Sequence, residues 1–318
     1  MRILITGVSG FIGSHLTEYI CSNLQNVEIY GLVRPRSSRQ NLRKVIDKVK
    51  LFEGDLKDST SVLNILDEIR PDRIFHLAGQ SAVRASFDLP AETFFINLIG
   101  NINLLEALRE LRLNPRIVIA GAAEAYGLAF TDELPMKETS LFRPLNPLGV
   151  SKAAQDMQGF QYFKNYGLKI IRARMFNAVG PRQPEYYFAS SLAKQIAEIE
   201  KKKKNAVLYV GNLETKRDYT DVRDLVRGLW LISEKGDEGE VYNLGSGQSW
   251  AGNEILKAML GMTRAKIVVE VEEKRLRPSD PPILLADITR VNKLTGWKPQ
   301  INLKQSLLDL LNYWREAV

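Results

Sequence analysis

Three glycines at intervals of three, in Thr6-Gly7-Val8-Ser9-Gly10-Phe11-Ile12-Gly13, are the residues of this chain that point most directly to chemistry. At this spacing the first glycine permits a tight turn and the second lets backbone approach a pyrophosphate. The third lets a helix pack close to a strand. The N–H groups of Phe11 and Ile12 would then offer phosphates the positive end of a helix dipole. A second set of candidates is cationic. Val33 stands where NAD binders carry an acidic residue for the ribose hydroxyls, and Arg34-Pro35-Arg36-Ser37-Ser38 follows it. Arginines and serines there suit a 2′-phosphate, so NADP(H) is expected over NAD(H). Asp55 and Leu56, after a third apolar run, are expected near the adenine.

These groups need a scaffold that aligns them. Ile3-Leu4-Ile5 reads as a buried strand, and Phe11, Ile12, Leu16, Tyr19 and Ile20 have the spacing of a buried helix face. Further strands are expected at 27–33, 49–52, 73–77, 116–120 and 168–174. Helices are expected at 59–69, with Ser59 as N-cap, at 93–112 and at 146–166. Such alternation implies an α/β, Rossmann-type, doubly wound parallel sheet covered by helices on both faces. Ligands bind such sheets at the strand C-termini, which puts Gly7, Val33, Asp55, Leu77, Ala78, Gly79, Gln80 and residues 121–124 on one rim. After Asn177 the alternation weakens. Residues 1–176 are read as the dinucleotide-binding domain and 177–318 mainly as a smaller, mixed α/β substrate lobe, with segments crossing back to the main sheet.

Composition narrows the classes. The chain has 318 residues, 45% hydrophobic and 25% charged, which is ordinary for a globular protein. No apolar run is long enough to cross a membrane, and Met1 leads straight into the first strand, so the cytoplasm is expected. One cysteine, Cys21, and two histidines, His15 and His76, argue against a disulfide or a metal site. The net charge of +7 includes a single dense run, Lys201 to Lys204, at the end of a helix expected over 189–203. Cations suit a helix C-terminus, and no nucleic-acid-binding motif accompanies them. An anionic small substrate such as a nucleotide diphosphate accounts better for the scattered arginines.

The glycine turn, Gly54-Asp55-Leu56, His76-Leu77-Ala78-Gly79 and the Ser151-Lys152 pair together resemble the extended short-chain dehydrogenase/reductase superfamily over nearly the whole chain. More narrowly the chain resembles GDP-mannose 4,6-dehydratase and GDP-4-keto-6-deoxymannose reductase. That likeness is carried by Gln80-Ser81-Ala82-Val83, by the stretch from Gly211 to Asp218, and by Arg275-Leu276-Arg277-Pro278-Ser279-Asp280. Residues 188–200 look more like the reductase, and the loop at 34–38 more like the dehydratase. The resemblance implies cofactor contacts at Asn97 and Lys152 and substrate contacts at Ser81, Asn177, Lys194, Asn212, Arg217 and Arg277. Arginine forks suit a diphosphate independently of any family. It also implies a GDP-hexose substrate and a homodimer paired through the helices beginning at Thr93 and Asn146. Their apolar residues include Phe94, Phe95, Leu98, Phe160 and Phe163.

The same resemblance exposes a gap. The superfamily moves a proton with a tyrosine four residues before the lysine, whose charge lowers the phenol's pKa, assisted by a serine or threonine. Lys152 is present, and Glu124 stands where the dehydratases keep a base, but the tyrosine position holds Leu148 and the serine/threonine position Ala122. Neither side chain can carry a proton. Tyr126 sits nearby, at a position that is structural in the family. The expectation is therefore a GDP-mannose-pathway dehydratase or reductase scaffold that turns over slowly. A non-catalytic NADP or nucleotide-sugar binder and a UDP-sugar 4-epimerase stand as alternatives.

Overall fold

The computed structural model describes residues 1–202 and 205–318; Lys203 and Lys204, the end of the basic run, lie outside the described residues. The chain opens β1 (Arg2–Thr6), α1 (Phe11–Asn23), β2 (Glu28–Val33), β3 (Val49–Glu53), α2 (Ser59–Ile69) and β4 (Arg73–His76). It continues through α3 (Val83–Asp88), α4 (Pro90–Phe94), α5 (Gly100–Glu110), β5 (Arg116–Ala122), α6 (Pro147–Tyr166), β6 (Ile170–Met175), β7 (Asn177–Val179), α7 (Phe188–Glu200) and β8 (Val207–Val210). The remainder is β9 (Lys216–Asp221), α8 (Val222–Lys235), β10 (Val241–Leu244), β11 (Ser249–Ala251), α9 (Gly252–Leu260), β12 (Val268–Val271), β13 (Ile283–Leu284), α10 (Thr289–Thr295) and α11 (Leu303–Ala317).

Seven parallel strands form the main sheet in the order β10-β6-β5-β4-β1-β2-β3. Its strands are apolar on both faces because both faces are covered. On one side Leu16 and Ile20 of α1 and Leu225, Leu229 and Trp230 of α8 pack on Ile3, Ile5 and Phe75. On the other, Val62 and Leu66 of α2, Leu104 and Leu108 of α5 and Tyr162 of α6 pack on Leu4, Ile74 and Ile117. The strand order reverses between β1 and β4, which opens a crevice at their C-terminal ends, where such sheets take ligands. From the chain after 177, β10 joins the main sheet beside β6. The rest of that stretch builds β11-β9-β13 with β7, the pair β12-β8, and a separate core of α7, α9 and α11. Among the described residues no helix is long and apolar enough to cross a membrane.

Three local expectations change. The N-cap of α2 is Asp58, whose carboxylate accepts from the N–H groups of Thr60 and Ser61; Ser59 is the first helical residue. The single helix expected over 93–112 begins at Pro90 and contains a π-turn at Phe95–Ile99 between α4 and α5. The extra residue in that turn rotates Asn97 inward, and π-turns of this kind are frequent at functional sites. The strand β9 escapes sequence reading because Lys-Arg-Asp-Tyr-Thr-Asp shows no apolar alternation; its residues after Lys216 are nonetheless buried, with Arg217, Asp218 and Asp221 paired by side chains.

Candidate functional site

The glycine turn is built as its spacing requires. Gly7 has φ +69°, and a Cβ there would lie 2.9 Å from the Ala78 backbone. A Cβ on Gly13 would meet the Gly7 carbonyl at 2.2 Å, so α1 seats directly on the turn. Gly10 is exposed, and its added Cβ would touch protein only at the Gly7 carbonyl, 3.1 Å away. That open side, over a helix N-terminus with no side-chain cap and no acidic residue in its first turn, fits a pyrophosphate. Thr6 ties the turn to the end of β4: its Oγ1 lies 2.9 Å from His76 Nδ1 and accepts from the Ala78 N–H at 3.1 Å. Burial, and next the charge of Lys152, hold His76 near pKa 3, so that ring stays neutral.

The loop after β2 curls beside this turn. The Ser37 N–H donates to the Arg34 carbonyl at 3.1 Å, and Arg36 adopts φ +64°, an uncommon conformation for a long side chain. Neither Arg34 nor Arg36 spends its guanidinium on an ion pair among the described residues. A clip with no local sequence signal holds the end of the loop. Arg182 forks onto Glu18 at 2.7 and 2.8 Å and donates to the Asn41 carbonyl, while Asn41 donates to the Ser9 carbonyl. The Asp55 carboxylate accepts from the Lys57 N–H, and Leu56 is buried against Gly100, just after the π-turn.

Asn97 splints the loop that runs from Leu77 through Ala78 and Gly79. Its Oδ1 accepts from Gln80 N–H at 2.8 Å, and its Nδ2 donates to the Gln80 carbonyl and to Ser151 Oγ. Its amide is buried and committed to these bonds. Ser151 and Lys152 belong to α6, which starts at the N-cap Asn146. A Cβ on Gly149 would lie 2.4 Å from the Glu124 carbonyl, so the first turn of α6 lies against the end of β5. Lys152 Nζ donates to the Ala120 carbonyl at 2.9 Å and to Gln155 Oε1 at 2.8 Å, and burial brings its pKa down to about 8. Ala122, Glu124, Leu148 and Lys152 are thus drawn together at the ends of β5 and α6. Tyr126 points the other way. Its hydroxyl donates to Asn243 Oδ1 at 2.7 Å and accepts from Arg174 at 2.8 Å, and burial lifts its pKa to about 12.

The second half of the site faces Glu124. Arg217 on β9 and Arg277 converge on one carboxylate oxygen of Asp280, at 3.2 and 3.0 Å, leaving one positive charge in excess. Arg217 is further held by the Pro281 carbonyl, and Ser279 Oγ donates to the Leu145 carbonyl just before α6. Asp280 stands three residues after Arg277, a spacing that the sequence shows but that carries no signal of the second arginine. Asn177 pairs in register with Tyr219, and its Oδ1 is buried with no partner among the described residues. Arg217, Arg277 and Glu124 all lie close enough to Tyr219 for their charges to act on its phenol, whose pKa burial raises to about 12. Asn212 accepts from the Glu214 N–H, shaping a turn that Gly211 packs against Arg275. Lys194 has a different setting: Glu185 and Glu198 engage its ammonium, which lies over the Trp314 ring.

A family model described as GDP-mannose 4,6 dehydratase matches residues 4–310. The chain belongs to the GDP-mannose 4,6-dehydratase family. It is 31% identical over 317 residues to the GDP-6-deoxy-D-mannose reductase of Pseudomonas aeruginosa, covering 100% of this chain and 98% of the relative. Among solved structures, RMD from Pseudomonas aeruginosa complexed with NADPH superposes with a TM-score of 0.86 at 30% identity, covering 100% and 99% of the two chains. The UDP-glucose 4-epimerase of Thermus thermophilus, in complex with NAD, gives 0.88 at 29% identity, with both chains fully covered. Extended short-chain dehydrogenase/reductase architecture is therefore common to this family member and to epimerases alike.

Proposed function

We propose that this chain binds NADP(H) and a GDP-linked hexose and reduces a 4-keto sugar, with turnover limited by the missing hydroxyls at 148 and 122. The observation that carries the sugar-nucleotide reading is the convergence of Arg217 and Arg277 on Asp280, beside the unpartnered Asn177 Oδ1 and opposite Glu124. Two forks with one excess charge suit a diphosphate, and the free amide oxygen suits a donor on the base or sugar. The reductase relative, 31% identical over 317 residues, supports ketone reduction, and the dehydratase relatives at 30% identity or less keep dehydration as the competing reading.

A bound dinucleotide supplies or accepts the hydride. The chain's part is to place and protonate. The open side of Gly10 and the N-terminus of α1 hold the pyrophosphate. The arginines of the 34–38 loop meet the 2′-phosphate. Asn97 acts by fixing the 77–80 loop, and Lys152 stands at the ends of β4 and β5 with its proton retained at neutral pH. Arg217 and Arg277 orient the diphosphate so that the sugar falls between Glu124 and Ser81. In the competing dehydratase reading, Glu124 would remove the C5 proton. Incubating the chain with GDP-mannose, and separately with GDP-4-keto-6-deoxymannose and NADPH, decides between them by product. Binding of neither sugar nucleotide would overturn the reading.

Cofactor choice gives a first expected outcome. NADPH should bind at least about tenfold more tightly than NADH, the effect of one or two charge-assisted contacts. Arg34→Asp should reverse the order by placing a like charge against the 2′-phosphate. Titration calorimetry of both cofactors is the measurement, and equal affinities would sink the argument.

Assembly gives another. Val150, Met157 and Phe160 line one face of α6 and are 43%, 60% and 44% exposed, and Phe95 of the adjoining π-turn is 56% exposed. Phe163, by contrast, packs inside the chain, where a Cβ on Gly239 would clash with its ring. Phe94 and Leu98 are half-buried. So much apolar side chain on two neighbouring helices suits a helix-to-helix homodimer. Light scattering at micromolar concentration should give a dimer or larger, and Phe160→Glu with Met157→Glu should give a monomer. A monomeric parent chain refutes the assignment.

A further inference from the structure

Two vacant hydroxyl positions leave open which group moves the proton, and one other hydroxyl pair faces the same space. Tyr187 immediately precedes α7. Its phenol oxygen lies 2.6 Å from Ser81 Oγ and donates to the Ser81 carbonyl at 3.4 Å. Ser81 follows the loop whose Gly79 faces Lys152, where an added Cβ would lie 3.4 Å from Nζ. On its other side Tyr187 is close enough to Glu124 for the carboxylate to act on its phenol. The pair therefore lies between the loop after β4 and Glu124, which follows β5. Ser81 is exposed and Tyr187 half-buried, so a ligand can reach both. Of the other phenols near Glu124, Tyr126 is buried and saturated by Asn243 and Arg174, and Tyr219 is buried on β9.

Resting on the reading above, we propose that the Tyr187–Ser81 hydroxyl pair carries the proton exchanged with the sugar oxygen in this chain. In the reducing direction the C4 carbon receives a hydride from a reduced nicotinamide dinucleotide, which is thereby oxidised. The electron pair of the C4=O π bond takes the Tyr187 proton to form the new O–H bond. The phenolate left behind takes the Ser81 hydroxyl proton, which water replaces. Burial, then the neighbouring Tyr186, raise the Tyr187 pKa, and Glu124 adds to the rise, so the phenol is fully protonated at neutral pH but a weaker acid than a free tyrosine. Because the donor enters from α7 and not from one turn before Lys152, it lacks that lysine's help, and turnover stays low.

The test compares Tyr187→Phe and Ser81→Ala in the parent chain and in Leu148→Tyr. It reads turnover of GDP-4-keto-6-deoxymannose with NADPH, GDP-mannose affinity by calorimetry, and the melting temperature. Tyr187→Phe should lower parent turnover by at least about tenfold, the scale of a positioned acid, with affinity unchanged within about twofold. In the Leu148→Tyr background the same change should cost less than about twofold, because the proton then has another route. Unchanged turnover in parent Tyr187→Phe, an equal loss in both backgrounds, or no turnover by the parent overturns the proposal. Should Tyr187→Phe fail to fold, Ser81→Ala is judged by the ratio of its turnover losses in the two backgrounds alone, because Ser81 also lies against the sugar. A parent that binds no GDP-mannose fails at the underlying reading, whereas intact binding with a silent Tyr187→Phe fails only at the proton.

Discussion

Leu148→Tyr should raise turnover of the 4-keto sugar nucleotide by about a hundredfold or more, the usual contribution of a positioned acid–base group. Position 148 lies in the first turn of α6, one turn before Lys152, and Gly149 seats that turn against the Glu124 carbonyl. Lys152 is already oriented by the Ala120 carbonyl and Gln155. Its pKa of about 8 leaves it mostly protonated at pH 7, so a phenol beside it would ionise more readily. The sign with pH follows. Burial lowers the lysine's pKa, so above about 8 the ammonium is lost and its help to the phenol with it. The gain from Leu148→Tyr should shrink as pH rises through that value. Adding Ala122→Thr should give more, and Ala122→Ser alone should do little, because the two hydroxyls act on one oxygen and do not add. Steady-state rates of the parent, both single variants and the double variant measure this. A parent as fast as the double variant would mean that the proton step was never impaired.

Asp156→Ala should be the most damaging single change to the fold around the site. The Asp156 carboxylate is buried on α6, one turn after Lys152. It accepts from Arg172 at 2.7 Å and from Arg174 at 2.9 and 3.0 Å. Arg174 passes the network to Tyr126 and the Glu138 carbonyl, and Tyr126 to Asn243 on β10. Removing the carboxylate leaves two guanidinium groups almost without solvent, with side chains 11% and 6% exposed. Breaking a buried pair in this way costs about 3–5 kcal/mol. A chain of this size should then melt roughly 5–8 °C lower. Calorimetric melting of Asp156→Ala against Asp156→Asn, which keeps one acceptor, reads the effect. A shift of under about 2 °C for the alanine variant would show that the arginines find other partners.

Much of the molecule was legible before folding was considered. Gly7, Gly10 and Gly13 announce strand, turn and helix because only glycine tolerates the backbone approaches seen at 2.2 and 2.9 Å. Apolar runs announce the main-sheet strands, since strands buried on both faces have no polar alternation to hide them. That Leu148 and Ala122 carry no hydroxyl is likewise a property of residue type, which folding cannot change. What tertiary structure alone decided are relations between distant residues. Arg182 reaches Glu18 and Asn41 across more than a hundred positions, and Arg217 meets Arg277 on Asp280 across sixty-three. Tyr187 meets Ser81 in the same way, and Lys194 is drawn to acidic neighbours. No local pattern encodes such contacts: each side chain's partner is set by where the strands end and how the loops return, which is a consequence of packing the whole chain.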